Sequence, residues 1–199
     1  MEAPGRALSQ RFEDALAYAS RLHAKQVRKG SNVPYTAHLL GAASLVIEGH
    51  GDEDQVIAAL LHDAVEDQGG LAMLEEIKGR FGQRVAAIVE ACTDSHTMPK
   101  PPWRERKESY IARIPEKPDE AILVMTADKL HNARAIARDY RQVGEVLWDR
   151  FAGGREGTIW YYNELVKALK NRETPLYGEF ERTVRELNEL TGNNKERKA

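Results

Sequence analysis

The sequence predicts a single all-α domain, and three observations support this prediction. The chain has 199 residues, which is the size of one ordinary domain. Apolar residues recur at three- and four-residue steps through most of the chain, as in amphipathic helices. We find neither the alternating pattern of a half-buried strand nor a hairpin turn between two such runs. We therefore expect one helical bundle over residues 9–190, with flexible ends at 1–8 and 191–199.

A capping residue and a proline mark the first two helices. Ser9 precedes an apolar stripe and predicts a helix from about residue 10 to 25. The glycine, serine, asparagine and proline content of residues 27–34 indicates a loop. Pro34 suits the first turn of the next helix, which should end near Gly49.

The remaining helices follow from further caps and periodic apolar stripes. Asp52 predicts the start of a third helix, which we expect to continue until the glycine pair at 69–70 stops it. Asp119 predicts the cap of a long helix, and residues 121–125 are apolar nearly all round, as expected for a central buried helix. The other helical patterns are at about 71–79, 83–93, 103–114, 141–150, 156–170 and 176–190.

The composition excludes several classes of protein. The chain has 29 Lys and Arg against 31 Asp and Glu, so its net charge of -2 would not attract nucleic acid or an anionic membrane. The N-terminal residues have no apolar stretch of signal-peptide length, and no uncharged run reaches the roughly 18 residues of a spanning helix. The single cysteine, Cys92, fits a reducing compartment. We expect a cytoplasmic protein without nucleic-acid or membrane partners, and homo-oligomer formation stays open.

Four polar residues lie at the C-terminal end of the predicted third helix: His62, Asp63, Glu66 and Asp67. Residues four apart stack on one side of a helix, so these groups project into one quadrant. The helix is otherwise apolar, and buried acids and imidazoles are costly unless they are paired or bind a cation. Two interpretations stay open at this point, a metal site and a solvated acidic face on a partly exposed helix end.

Two more polar residues on apolar helices favour the metal site. Asp128 follows an apolar run inside the long buried helix, and Asn132 lies on the same face one turn later. His38 lies one turn into the second helix and supplies another imidazole. Together with the His-Asp doublet, His38 and Asp128 form a set of two imidazoles and two carboxylates. Such a set leaves open positions on an octahedral ion and suits Mn²⁺ or Fe²⁺ better than structural zinc.

These residues occur in four sequence blocks that resemble the hydrolase domain of the RelA/SpoT family, within the HD-domain metal-dependent phosphohydrolases. The blocks are residues 26–38, 59–67, 93–94 and 127–134. The resemblance covers roughly residues 8–170, and no synthetase domain accompanies it. The type that it implies is a small alarmone hydrolase with the helical fold of that family.

The resemblance also implies a reaction and a role for each residue. The reaction is hydrolysis of the 3′-pyrophosphate of guanosine tetra- or pentaphosphate to GDP or GTP and pyrophosphate. The implied cofactor is one Mn²⁺ ion, and its implied ligands are His38, His62, Asp63 and Asp128. Glu66 and Asp67 would orient and deprotonate the attacking water.

The same resemblance assigns a nucleotide-binding role to three further residues. Arg28 and Lys29 fall where the family contacts the nucleotide base, and Asn132 falls where it makes a contact near the ribose. Ala135 stands where many members of the family have a threonine close to the nucleotide. Guanosine and adenosine alarmones therefore both stay candidate substrates.

A polyphosphate substrate requires a rim of cations around the metal. Beyond Arg28 and Lys29, the candidate cations are Lys100, Arg104, Arg106 and Lys107. The alternative is that the charged run 104–107 is a solvated helix face. Arg155 precedes a predicted helix start and is a further candidate for contact with phosphate. The aromatic residues 160–162 after it can line the pocket, but aromatics at this spacing more often belong to the core.

Three other functions compete with the alarmone hydrolase. One is a different HD-domain nucleotidase, which would act on a nucleoside monophosphate or on a dinucleotide such as NADPH. Another is a nucleotide-binding module without turnover, but such a protein would have no chemical need for the intact pair Glu66 and Asp67. Nucleic-acid binding is disfavoured by the net charge and by the lack of interleaved aromatic and basic residues.

Overall fold

A computed structural model describes residues 7–95 and 99–192, which form nine α-helices and no strand. The all-α prediction is therefore confirmed. The helices are α1 (Gln10–Leu22), α2 (Thr36–Glu48), α3 (Glu53–Leu61), α4 (Gly70–Phe81), α5 (Gln83–Cys92), α6 (Trp103–Ala112), α7 (Asp119–Val143), α8 (Gly154–Leu169) and α9 (Tyr177–Leu190). A π-helical turn at Val65–Gly69 precedes α4, and 3₁₀ turns occupy Ile114–Glu116 and Gly144–Arg150.

The long helix α7 is the centre of the bundle. It packs against α2, α3, α5 and α9. Residues 121–127 are all buried, which explains why this stretch is apolar nearly all round. The one hydroxyl there, on Thr126, donates a hydrogen bond to the carbonyl of Ile122 at 2.7 Å. The predicted central helix is confirmed.

Local capping chemistry sets the starts of α1 and α3 as the sequence predicted. The Ser9 hydroxyl accepts a hydrogen bond from the Arg11 amide at 3.2 Å. Asp52 and Gln55 form a reciprocal capping box, with hydrogen bonds of 3.1 and 2.9 Å. The predicted cap Asp119 is wrong: it is the first residue of α7, and its carboxylate instead accepts a hydrogen bond from Arg172.

The predicted extent of the third helix is also wrong. Regular α-helix ends at Leu61 and not at the glycine pair. The His62 ring donates from Nδ1 to the carbonyl of Ala59 at 2.8 Å, and that carbonyl is the one that a continuing helix would offer to the Asp63 amide. The chain then forms the π turn, and α4 begins at Gly70, where φ is +57°. Similarly, the predicted helix at 141–150 divides at Gly144 into the end of α7 and a 3₁₀ turn.

The predicted flexible ends lie mostly outside the described residues. Of the segment 191–199, the structure describes only 191 and 192, and Thr191 is buried with its hydroxyl bonded to the carbonyl of Leu187. The flexibility of both ends stays a prediction. No helix within the described residues combines the length and the apolar character needed to cross a membrane.

Candidate metal centre

Two buried imidazoles and a buried carboxylate meet between α2, α3 and α7. His38 comes from the first turn of α2, His62 caps the end of α3, and Asp128 lies in the middle of α7. The Nε2 atoms of the two histidines are 3.2 Å apart. Oδ1 of Asp128 lies 3.2 Å from Nε2 of His38 and 3.5 Å from Nε2 of His62. These three side chains can offer one ligand atom each to a single ion.

The carboxylate of Asp63 lies beside the same two histidines. Its Oδ2 lies 3.0 Å from Nε2 of His62 and 3.5 Å from Nε2 of His38. The Tyr35 hydroxyl donates to this oxygen at 2.5 Å and holds the carboxylate in place. Neighbouring ligands on an octahedral ion with bonds of about 2.1 Å lie about 3.0 Å apart. The contacts between the two histidines and each carboxylate have the spacing of neighbouring ligands, and Asp63 as a fourth ligand stays a prediction.

The Nδ1 atoms of both histidines also form hydrogen bonds, which orient the Nε2 atoms toward the two carboxylates. Because a carbonyl only accepts, the hydrogen bond to Ala59 places the His62 proton on Nδ1. Nδ1 of His38 lies 2.9 Å from Nδ1 of His131, and burial together with His38 lowers the pKa of His131 to about 4. His131 is thus neutral and can accept that hydrogen bond. With the Nδ1 atoms engaged in these hydrogen bonds, it is the two Nε2 atoms that remain to bind a cation.

The charges of the cluster point the same way. Burial opposes the charge on His62, but Asp63 and Asp128 outweigh it and raise its pKa well above the usual range. Burial also opposes the charges of the two carboxylates. The charge of His62 nevertheless holds the pKa of Asp63 well below its usual range. The charge of Lys129, followed by that of His62, does the same for the pKa of Asp128. The two carboxylates therefore stabilise a positive charge between them and the histidines. A divalent ion can supply it in place of a proton.

The π turn carries Glu66 and Asp67 to the edge of this cluster. Gln26 donates to Oδ2 of Asp67 at 2.8 Å, and burial followed by the charge of Asp63 raises the pKa of Asp67. A carboxylate with a raised pKa is a better proton acceptor near neutral pH. Glu66 lies in a different setting, because Lys100 pairs with it at 2.7 Å and Arg106 lies 3.7 Å away.

A pocket of about 730 Å³ opens above the cluster, and basic side chains line it. The basic residues of its lining are Arg28, Lys29, Lys100, Arg106, Lys107, Lys129, His38, His131, Arg138 and Arg150. Asp94 holds two of them in place by accepting from Arg106 and, at 2.7 Å, from Lys107. The pocket thus combines a metal-binding floor with cationic walls, which suits a phosphorylated ligand.

The structure brings four of the predicted substrate-binding residues to this pocket. Arg28, Lys29, Lys100 and Asn132 all line it, and Nη2 of Arg28 donates to Oδ1 of Asn132 at 2.8 Å. This contact joins the 27–34 loop to α7. The roles of these residues in binding a substrate stay predictions.

Two other predicted residues, Arg104 and Arg155, are not in the lining that the described residues form. The Arg104 guanidinium lies 3.2 Å from the centre of the Trp160 ring and pairs with Glu108 on the outer side of α6. Arg155 instead donates to the carbonyl of Thr191 near the end of α9. The interpretation of 104–107 as a solvated face therefore fits Arg104, but it is wrong for Arg106 and Lys107, which turn inward.

Sequence reasoning missed three residues that shape the site. Tyr35 anchors Asp63, Lys129 pairs with Asp128 at 2.7 Å, and Asp94 holds the basic residues of α6. Each was visible as a neighbour within the matched blocks: Tyr35 lies one turn before His38, and Lys129 follows Asp128 directly. Tyr161 and Tyr162 are buried in the core and also line the pocket, so both interpretations of these aromatics hold.

Comparisons with known proteins agree with this geometry. The family model described as HD domain matches residues 15–159. The human protein named guanosine-3′,5′-bis(diphosphate) 3′-pyrophosphohydrolase MESH1 is 39% identical over 128 residues, which cover 63% of this chain and 69% of that protein. Its Xenopus tropicalis counterpart is 41% identical with the same coverage. A solved structure of a metazoan ortholog of SpoT that hydrolyses ppGpp superposes with a TM-score of 0.76 at 27% identity and covers 91% of this chain and 97% of that one.

Proposed function

The chain belongs to the HD-domain family, and on that premise we propose that it removes the 3′-pyrophosphate from guanosine 3′,5′-bis(diphosphate). The observation that carries this proposal is the meeting of His38, His62, Asp63 and Asp128 on the floor of a cationic pocket, with Nε2 and carboxylate atoms 3.0 to 3.5 Å apart. The proposed reaction is the one for which the human and Xenopus tropicalis relatives are named. The substrate is a small-molecule nucleotide.

The four ligand residues would hold a divalent ion, which lowers the pKa of water and stabilises charge on phosphoryl oxygens. Asp67 accepts the proton of the attacking water, and its raised pKa suits that role. Gln26 keeps the Asp67 carboxylate in position through its 2.8 Å hydrogen bond. Glu66 assists by orienting the water once substrate draws Lys100 away.

The basic residues at the inner end of the pocket bind the pyrophosphate itself. Lys100, Arg106 and Lys107 approach from the α6 side, and Lys129 approaches from α7. In the free protein these cations pair with Glu66, Asp94 and Asp128. The oxygens of a pyrophosphate can share or replace these carboxylate partners. Water then attacks phosphorus, and the products are GDP and pyrophosphate.

We further propose Mn²⁺ as the ion and the cytoplasm as the compartment. Two imidazoles and two carboxylates without a thiolate leave open positions that suit an octahedral ion. The single cysteine, Cys92, is withdrawn from the pocket lining of the described residues, and burial raises the pKa of its thiol to about 11. An unreactive thiol of this kind is compatible with a reducing cytoplasm.

A product assay tests the proposal. Purified protein is incubated with guanosine 3′,5′-bis(diphosphate) and Mn²⁺, and the products are separated by ion-exchange chromatography. We expect GDP and pyrophosphate in equal amounts, loss of activity with a chelator, and recovery when Mn²⁺ is added back. Release of orthophosphate from the 5′ end, or equal rates on nucleotides without a 3′-pyrophosphate, would instead identify a general HD-domain nucleotidase.

A further inference from the structure

A buried histidine lies behind the proposed proton acceptor, outside the pocket. His23 is the residue at which α1 ends, and only 1% of its surface is exposed. It is not among the described residues that line the pocket, so it does not contact a substrate directly. Neither the metal centre nor the cationic walls account for a buried imidazole at this place.

Three side chains connect this imidazole to the carboxylate of Asp67. Nδ1 of His23 lies 2.7 Å from Oε1 of Gln26, and Nε2 of Gln26 donates to Oδ2 of Asp67 at 2.8 Å. An ionised carboxylate only accepts hydrogen bonds, so the amide of Gln26 presents its NH₂ group to Asp67 and its oxygen to His23. That oxygen also only accepts, which places the proton of His23 on Nδ1. Each donor in this chain therefore points toward Asp67.

The amide of Gln26 supports Asp67 in only one of its two orientations. If the amide turned over, its oxygen would face the carboxylate, and repulsion would replace the hydrogen bond. Two donors to the oxygen oppose such a turn, Nδ1 of His23 and Nε2 of Gln68, the latter at 3.0 Å. Gln68 has an exposed, flexible side chain, whereas His23 is buried. His23 is therefore the more rigid of the two supports.

The other nitrogen of the ring indicates that Nδ1 is what a histidine contributes here. Nε2 of His23 is buried and has no hydrogen-bond partner among the described residues. A buried polar atom without a partner costs free energy, and a phenylalanine would fill similar space without that cost. The ring stacks on Tyr35, with centres 5.3 Å apart and planes at 20°, and a phenylalanine would also make this contact. Only a donor to Gln26 requires the histidine.

We propose that His23 is a positioning residue, which holds the amide of Gln26 in the orientation that keeps Asp67 directed at the attacking water. This inference rests on the proposed function, because that function makes Asp67 the proton acceptor. The backbone already fixes the base of the Gln26 side chain. The Gln26 amide donates to the carbonyl of His23 at 3.0 Å, and the Tyr35 amide donates to the carbonyl of Gln26 at 2.9 Å. Only the side-chain amide is left for His23 to hold.

Two substitutions separate the donor from the ring. His23→Phe keeps the ring and its stacking on Tyr35 but removes the donor. His23→Asn loses the ring but can place an NH₂ group near the position of Nδ1. We expect His23→Phe to lower kcat by about 3- to 10-fold, the effect of one hydrogen bond, with KM and metal content unchanged. His23→Asn should recover most of this loss. A purely structural role would give the opposite order, because phenylalanine fills the buried site better than asparagine.

A double substitution tests whether the effect passes through Gln26. If His23 acts only by holding this amide, His23→Phe should lower kcat by less than about twofold in a Gln26→Leu background. The rates are compared at saturating guanosine 3′,5′-bis(diphosphate) with Mn²⁺, and thermal unfolding reports the stability of each variant. If His23→Asn does not fold, this comparison decides the inference by itself.

Three outcomes would overturn the inference. They are an unchanged kcat in His23→Phe, a lower kcat in folded His23→Asn than in His23→Phe, and an undiminished effect of His23→Phe in the Gln26→Leu background. If the wild type does not hydrolyse the alarmone, the proposed function fails, and the ¹⁵N NMR signals of the His23 ring decide the inference separately. It then stands if the wild type carries the proton on Nδ1 and if both Gln26→Leu and Asp67→Asn weaken that preference, and it falls otherwise.

Discussion

The two ends of the pocket are built in different ways. At the inner end, the proposed ligand residues lie on α2, at the end of α3 and on α7, and most of them are fixed by a second contact, as His62 is by the Ala59 carbonyl. At the outer end, Arg28 comes from a loop and Arg150 from a 3₁₀ turn. The inner end is part of the core, so its chemistry cannot vary without cost to folding. The outer end can change its side chains while the helices remain in place, which is where differences in substrate preference can arise.

The largest expected effect comes from removing a charge at the inner end. Asp63→Asn keeps the shape of the side chain but removes a negative ligand, so bound metal should fall and turnover should be abolished. Metal content by elemental analysis and the product assay check this together. Asp149→Asn serves as the matched control. Near wild-type metal content and activity in Asp63→Asn would remove it from the ligand set.

The next effect separates proton transfer from metal binding. Asp67→Asn and Glu66→Gln should lower kcat by about 10² to 10⁴ while the metal stays bound, since neither carboxylate is needed to hold the ion. The loss should be greater for Asp67, which accepts a hydrogen bond from the neutral amide of Gln26, than for Glu66, which pairs directly with Lys100. Loss of metal from either variant would make that residue a ligand.

Two arginines on α6 test which residues of this helix belong to the substrate-binding pocket. Arg106 lines the pocket, whereas Arg104 stacks on Trp160 outside it. Arg106→Ala should raise KM for the alarmone by about 10- to 100-fold, because it removes a charge-assisted contact with phosphate. Arg104→Ala should change KM by less than about threefold. Equal effects of the two substitutions would indicate that Arg104 also contacts the substrate.

A smaller effect is expected from the outer-end residue Arg28. Stacking of a guanidinium on a purine contributes roughly 0.5 to 2 kcal/mol, so Arg28→Ala should weaken binding by about 2- to 30-fold. The loss should be similar for guanosine and adenosine substrates, because a guanidinium stacks on either purine. Dissociation constants from titration with GDP and ADP measure it. A loss confined to one purine would give Arg28 a part in base selection.

The smallest effect is a shift in pH dependence. Asp67 must be deprotonated to accept a proton, so activity should fall as the pH drops through its raised pKa. The hydrogen bond from Gln26 lowers that pKa, and Gln26→Leu should therefore move the acidic limb of the kcat profile to higher pH. The rate on the plateau should fall less than in Asp67→Asn, because the carboxylate itself is retained. A limb that stays in place or moves to lower pH would contradict this assignment of the proton acceptor.

The sequence predicted those parts of the molecule that depend on local patterns. The Ser9 and Asp52 caps, the buried run of α7 and the polar groups on apolar helices all follow from residues within a few positions of one another. Arg104 and Arg106 could not be separated in this way. Residues two apart point to different sides of a helix, but only the packing of α6 on α8 decides which side is covered.

Contacts between distant segments account for the other differences. Arg155 is drawn away from the pocket by the Thr191 carbonyl, which is 36 positions further along the chain. The pairing of Arg150 with Asp139 depends on the change of direction at Gly144, where φ is +62°. Neither contact leaves a periodic signal in the sequence. The early end of α3 had a different cause, because a side-chain hydrogen bond replaced a backbone one.

The π turn at Val65–Gly69 has a consequence for how this site can evolve. A π turn contains one residue more than an α-helical turn, and this one lies between the end of α3 at Leu61 and the positive φ of Gly70. Deleting Gln68 would shorten the connection by one residue and displace Glu66 and Asp67 from the edge of the metal cluster. Insertions and deletions in this segment should therefore be selected against, because they move the two carboxylates.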